Sequence, residues 1–219
     1  MSVHARLTQW FAIVLVLCLG FGTAAAEKGQ FSIGGNFGVG FYSGGSYNDS
    51  LSAAGLKKVS DGWEYGPSLR YGVSPKLSLD VEALSINGKG TTTSVDPKFQ
   101  AEVNGIAVPL NLYYELSSND THAFSLFGGA GPMLKTGWST KQDETEANSM
   151  TKTGFYGHAG VEAQWKPGRK FAFTTRALAR MASAKDVALD TDPATTFDVS
   201  MNGVALGVGA RLYFGGSGN

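Results

Sequence analysis

From residue 31 onward, apolar side chains alternate with polar or small ones at a period of two, in long runs separated by polar connections. The last run is the clearest. Val204, Leu206, Val208, Ala210, Leu212 and Phe214 alternate with Gly203, Ala205, Gly207, Gly209, Arg211 and Tyr213. An extended strand carrying this pattern has one wholly apolar side and one small side with a single charge and a phenol. Eight such segments can be drawn, at 31–43, 61–73, 76–88, 99–116, 123–138, 152–166, 170–185 and 197–214. Most exceed the roughly 5–6 residues of a soluble strand and reach the ~9–11 that cross a bilayer at a tilt. The connections alternate in length: short at 73–76, 117–122 and 167–170, long and polar at 44–60, 88–98, 139–151 and 186–196. Propeller blades would need four short strands each, and these runs are too long for that. The pattern predicts an all-β fold, an eight-stranded antiparallel up-and-down transmembrane β-barrel.

The faces segregate charge. One register carries Phe31, Ile33, Phe37, Val39 and Phe41, then Trp63, Tyr65, Leu69 and Tyr71, and continues in this way to Phe214. The opposite register carries Glu64, Arg70, Asp80, Glu82, Glu115, Lys135, Glu162, Arg176, Arg180 and Arg211 together with many glycines. A barrel of eight strands has room inside for little more than side chains, so the small and charged face points inward. The inverted barrel would set these charges against lipid, at ~2–4 kcal/mol each near mid-bilayer. Acids and bases are equal in number, and buried charges must pair. A lumen plugged by ion pairs is therefore expected, whereas a selective pore favours one dominant sign or a wider interior.

Aromatics band by height. Phe31, Tyr71, Tyr114, Phe124, Trp165, Phe171 and Phe214 fall towards the short turns; Phe41, Trp63, Phe99, Trp138, Phe155 and Phe197 fall towards the long loops. Two interfacial girdles are predicted. Pro67, Pro109 and Pro132 interrupt strands, where bulges are expected because each removes a ladder donor. Leu84 and Ile86 stand on the lumen register, which predicts a bulge or an early strand end there.

Composition adds an address and removes some functions. Thirty glycines with seven prolines, without a collagen-like period, fit tight barrel packing. A formal net charge of zero gives no basic stripe for nucleic acid. Residues 1–26 read as a signal peptide: His4 and Arg6, an apolar core at 10–21, and the small residues Ala24, Ala25 and Ala26 before Glu27. That core is shorter than the ~20 residues of a spanning helix. The chain divides into the signal at 1–26, the barrel at 27–214 and a short polar tail at 215–219. Cys18, the one cysteine, lies in the signal, and Leu17 precedes it where a lipidation site resembles a small-residue motif. The mature barrel therefore has no disulfide and takes its stability from its closed sheet.

Candidate chemistry is sparse. His158, with Glu162 four residues on, has lumen parity, and a hydrogen-bonding role outweighs that of a catalytic base. His122 sits beside Asn119 and Asp120, which turn chemistry explains. Asp143, Glu144 and Glu146 form an acidic run that reads as a solvated loop or a divalent-cation site. No catalytic set, cofactor or metal is predicted.

These residues resemble the superfamily of small eight-stranded outer-membrane barrels that includes the OmpA, OmpX and OmpW types. The resemblance spans 27–214 and is most specific in Leu206, Val208, Ala210, Leu212 and Phe214, which are similar to the C-terminal signal read by the barrel-assembly machinery. The tail at 215–219 departs from the usual aromatic terminus. The resemblance implies the outer membrane of a Gram-negative bacterium, with outer-membrane lipid and lipopolysaccharide as surroundings. It also implies a non-enzymatic role in which four long loops serve adhesion, envelope integrity or ligand contact. A narrow channel for small or apolar solutes and, more remotely, a lipid A-modifying enzyme are the alternatives. No motif names a loop ligand.

Overall fold

A computed structural model describes residues 29–215 apart from 44, 94–97, 143–144 and 169. The expected signal at 1–26 and residues 216–219 of the tail lie outside the described residues. The alternating runs become β1 (Phe31–Ser43), β2 (Asp61–Ser74), β3 (Leu77–Glu82), β4 (Leu84–Thr92), β5 (Phe99–Ala107) and β6 (Leu110–Ser118). The chain continues as β7 (His122–Gln142), β8 (Thr145–Asn148), β9 (Lys152–Gly168), β10 (Phe171–Ala188), β11 (Thr196–Ser200) and β12 (Asn202–Phe214). One helix, α1 (Ser46–Ala53), lies between β1 and β2.

All pairings are antiparallel, and β1 bonds to β12 on one side and to β2 on the other. The sheet thus returns to itself, which removes the free edge of an open sheet. Among the described residues the strands number twelve where eight were expected. The difference lies in four interruptions, because consecutive strands line up against the same neighbours. β3 and β4 both pair β2, β5 and β6 both pair β7, β8 and β9 both pair β7, and β11 and β12 both pair β10.

The prolines explain two interruptions, without the bulges expected of them. The Ala83 amide donates to Pro67 O at 3.0 Å, and Pro67 has no N–H to return. Glu82 N likewise bonds Pro109 O at 3.3 Å, and Val108 N bonds Pro132 O at 3.0 Å. Three prolines thus form one seam across neighbouring strands. Register does not slip there: Ser68↔Glu82 below Pro67 and Tyr65↔Ser85 above it continue one alignment. The drawn third strand does end early, at Glu82, but no bulge follows: β4 continues the alternation, so Leu84 and Ile86 stay on the lumen side and are fully buried. Near Met201, Asn202 Oδ1 accepts the Ala182 amide at 2.8 Å and takes the place of a backbone partner.

The outside is apolar. Ile33, Phe37, Val39, Leu69, Val81, Leu112, Leu126, Val161, Leu206, Val208 and Leu212 all face outward, most with about half of their surface exposed. Such a continuous belt has no place in water, and it matches a lipid-facing barrel surface. The long connections are more ordered than a loop reading implies. β7 and β8 extend 139–151 as a hairpin, β4 runs on to Thr92, and α1 occupies part of 44–60.

Candidate functional site in the barrel lumen

Every second residue of the spanning strands points inward, and glycines there make room for long charged arms. A Cβ at Gly38 would lie 2.7 Å from Leu206 O and 3.3 Å from Glu64 Cγ; one at Gly207 would meet the Arg176 side chain at 3.2 Å. The freed space holds four arginines and four carboxylates, none more than 6% exposed: Arg70, Arg176, Arg180 and Arg211 with Glu64, Asp80, Glu82 and Glu162.

They sit in two layers. Nearer the short turns, Arg70 donates to Glu162 from both terminal nitrogens, at 2.8 and 3.2 Å, and to Asp80 at 3.5 Å. Arg211 donates to the same Asp80 carboxylate at 3.3 Å and to Ser68 and Ser32 at 2.9 and 3.2 Å. Asn111 donates its amide to Asp80 at 3.1 Å, and Gln164 to Glu162 at 2.7 Å. The Arg70 guanidinium lies 3.5 Å from the centroid of the Tyr113 ring, which stacks on Phe127. In the layer above, Glu64 accepts from Arg180 and forms an ion pair with Arg176 at 3.5 Å. Arg176 also reaches Glu82 at 2.8 Å, and Asn36 donates to that same Glu82 oxygen at 2.9 Å. Forked guanidiniums each serving two acceptors suit a water-poor interior, where unpaired charge is costly.

The other two predicted lumen charges lie elsewhere. Glu115 keeps lumen parity but sits half-buried at the short-turn end, bonded to Ser118. It lines a polar recess with Gln30, Lys76, Lys166 and Tyr213. Lys135 is a correction: it is exposed, at φ 50, where the β7–β9 register slips between Met133 and Thr136. Met133 and Thr136 fill the interior on either side of it, both at 0% exposure, so the extra residue is expelled to the outer surface. With one acid at the mouth and one base outside, the buried set balances four against four.

His158 is held by its neighbours. Asn111 gives its NH₂ to Asp80, so its Oδ1 accepts from His158 Nε2 at 2.8 Å, and Tyr156 donates to Nδ1 at 2.9 Å. Both ring nitrogens are engaged in orienting the network. His122 contacts Thr121 Oγ1 at 2.8 Å in an Asn119-capped turn. Asp143 and Glu144 lie outside the described residues; Glu146 stands opposite Lys141 in the hairpin. Among the described residues no three His, Cys, Asp or Glu side chains converge on a metal position.

Above the ionic layers the lumen turns apolar, which the sequence reading missed. Leu84, Ile86, Ala107, Met133, Tyr156, Ala182, Val187, Val199 and Met201 are buried there, with Tyr47 and Leu51 of α1 seated on top. The signal available was the lumen parity of Leu84 and Ile86. Three aromatics assigned to the upper girdle also belong here: Trp138 is buried and stacks on Tyr47 at 5.1 Å, Phe197 meets it edge-on at 5.4 Å, and Phe99 packs against the same cluster. Asn48 fixes the cap by exchanging two hydrogen bonds with the Val59 backbone, at 2.9 and 3.0 Å. Burial, with the nearby Glu102 charge adding, pushes the Tyr47 hydroxyl up, so it remains a donor to Ser139 O at 3.1 Å. Truncating both Tyr47 and Leu51 to alanine should release this cap alone. Hydrogen exchange at the Val59 amide is expected to rise on the order of ten-fold or more, in line with the loss of a local ~1.4 kcal/mol of packing, while β9 and β10 amides stay protected. Equal loosening of β9 would show instead that α1 and the barrel open together.

A closed antiparallel sheet with a lipid-compatible exterior and an ion-paired interior defines a transmembrane β-barrel protein. Residues 11–217 match the family described as the outer membrane protein beta-barrel domain, and the chain belongs to that family. This places the protein in the outer membrane of a Gram-negative bacterium. Among solved structures, it is similar to the outer membrane protein OprG from Pseudomonas aeruginosa, with 15% identity and a TM-score of 0.51 over 87% of this chain and 98% of that one. It is similar to a major outer membrane protein from Thermus thermophilus as well, with 12% identity and a TM-score of 0.51 over 84% and 99%. These likenesses concern the fold. Comparison with curated protein sequences returns no match.

Proposed function

We propose that the protein is a non-enzymatic outer-membrane anchor, a charge-plugged barrel that holds an ordered extracellular surface for adhesion, envelope integrity or ligand contact. The observation that carries this reading is the filled lumen: two layers of paired charges beneath an apolar layer capped by α1. Ion pairs that span the barrel from β2 and β3 to β9, β10 and β12 occupy the space a solute would need. In this reading residues 1–26 direct export and are cleaved, 27–214 form the barrel, and Leu206, Val208, Ala210, Leu212 and Phe214 present the last strand to the assembly machinery. Outer-membrane lipid and lipopolysaccharide surround the barrel, and no nucleic acid or cofactor enters its role.

The proline seam favours a second reading, a narrow route for small or apolar solutes, because Pro67, Pro109 and Pro132 weaken neighbouring ladders at one height. Planar-bilayer recording separates the two. The anchor reading expects protein with a heat-dependent gel shift yet no reproducible conductance steps, and no faster passage of an apolar dye in proteoliposomes. Regular steps, or saturable dye passage, would overturn it in favour of the route.

A further inference from the structure

Below the ionic layers the lumen ends in the polar recess at its short-turn mouth, where hydrogen-bond donors outnumber acceptors. Lys166 of β9 continues the inward row of Glu162 and Gln164, and Lys76 reaches the same recess from the turn that leads into β3. The two lysines stand three strands apart in the ring, since β3 pairs β6, β6 pairs β7 and β7 pairs β9. Their backbones are fixed. Lys166 N donates to Thr121 O at 2.6 Å, and Lys76 O accepts from Glu115 N at 2.8 Å. Among the described residues the ion pairs involve other lysines and the buried arginines, and neither of these two ammoniums joins one.

Most other groups of the recess are committed. Arg70 at its inner side serves Glu162 and Asp80, and Gln164 gives its amide to Glu162 and accepts from Tyr213, both at 2.7 Å. Glu115, the one carboxylate of the lining, accepts from Ser118. Ser78 and Ser125 also line the recess, and their hydroxyls take part in none of the described bonds. With Arg70 neutralised, two ammoniums stand against one carboxylate, so the recess keeps net positive charge. Like charges sharing one recess repel, and an oxyanion between them removes that repulsion while giving both serine hydroxyls an acceptor. A cation or an apolar solute gains neither. The barrel exterior at this end is made of Tyr71, Tyr114, Trp165 and Phe214, all outward, so the wall of strands separates the recess from the surrounding leaflet. The anion therefore arrives from the periplasm, onto which the short turns of such barrels open.

We propose that Lys76 and Lys166, with Ser78 and Ser125, form a periplasm-facing site for the oxyanion, phosphate or carboxylate, of a soluble molecule. The site goes beyond the anchor reading and rests on it only for the ion-paired floor that closes the recess from within. The mature barrel in maltoside micelles is titrated with inorganic phosphate and, separately, with acetate, following the backbone amide NMR shifts of Ser125 and Lys166. The variants are K76Q/K166Q, K76R/K166R and an extracellular control, K57Q/K58Q. The parent is expected to saturate with at least one probe, and the double Gln variant to bind it at least about ten-fold more weakly, with the Arg variant and the control within about two-fold of the parent. Saturation by one probe and not the other keeps the site and names its ion. No saturation of the parent by either probe up to about 100 mM overturns it, as does undiminished affinity in the Gln variant or equal loss in the control. In nanodiscs, replacing phosphatidylcholine by phosphatidylglycerol should leave the affinity for the free probe unchanged; competition by the anionic lipid would overturn the soluble source and give the site to a headgroup. Conductance steps in the parent would defeat the plugged-lumen reading without changing probe affinity, whereas a silent parent with undiminished affinity in the Gln variant defeats the site alone. Each variant's heat-dependent gel shift is read in parallel. If the double Gln variant loses its shift, K166Q takes its place, with binding expected to weaken about three-fold or more and unchanged affinity again overturning the site.

Discussion

Replacing Glu64 by alanine is expected to cost the barrel about 3–5 kcal/mol, more than any other single lumen change. Glu64 is fully buried and serves two arginines, Arg180 and Arg176. Without it Arg176 still has Glu82 at 2.8 Å, but Arg180 keeps only Met201 O at 3.2 Å and the Tyr42 ring, whose centroid lies 4.8 Å away. A guanidinium stranded in a dry interior loses its solvation and gains nothing in return. The measurement is the urea midpoint of the heat-dependent gel shift in liposome-refolded protein. Glu64→Ala should lower it steeply, while the double variant Glu64→Met/Arg180→Met, which removes charge from both sides, should recover much of the loss. A single variant within about 0.5 kcal/mol of the parent would show that the lumen is wet enough to screen the pair.

Much of this architecture was written in the alternation. β1 runs over the expected 31–43, β2 departs by one residue, and Val204, Leu206, Val208, Leu212 and Phe214 of the last row are exposed as its pattern requires. Parity works because one face must satisfy lipid. It constrains the other face much less, and there the reading thinned. A lumen sealed from water accepts apolar packing as readily as paired charge, so period-two logic sees Leu84 and Ile86 as errors when they begin an apolar layer. Phe99 and Phe197 stand on the lumen parity, and their place against the apolar layer follows that parity and not the preference of aromatics for the interface. The remaining misses share one cause. The single residue inserted at Lys135 ejects that lysine and reverses the alternation after it, so Trp138 turns inward beneath Tyr47. A bulge is an event of one residue with no required composition, and a slip of one residue exchanges the two faces. The pairing of the four arginines was likewise illegible without register, since Arg70 reaches Glu162 across 92 positions of sequence and Arg176 reaches Glu82 across 94.

Val208→Arg is expected to destabilise the barrel by ~2–4 kcal/mol, the cost of an arginine near the bilayer midplane. Val208 is the central residue of β12 and is 57% exposed, opposite Phe37 of β1 and Thr175 of β10. In a water-soluble barrel an exposed valine could become arginine at a cost within about 0.5 kcal/mol, so the size of the loss reports what surrounds that face. Lys135 provides the internal contrast: a native cation, equally outward, tolerated because it sits at the end of the apolar belt. Changing Lys135 to alanine should therefore leave the unfolding midpoint nearly unchanged, whereas Val208→Arg lowers it and Val208→Leu does not. Val208 also belongs to the strand proposed as the assembly signal, so a defect in cells would mix slow insertion with lost stability. Refolding into pure phospholipid removes the assembly machinery from the comparison. A midpoint deficit that persists there belongs to the lipid face; a deficit seen only in cells would assign Val208 to recognition, and with it a surface that tolerates charge.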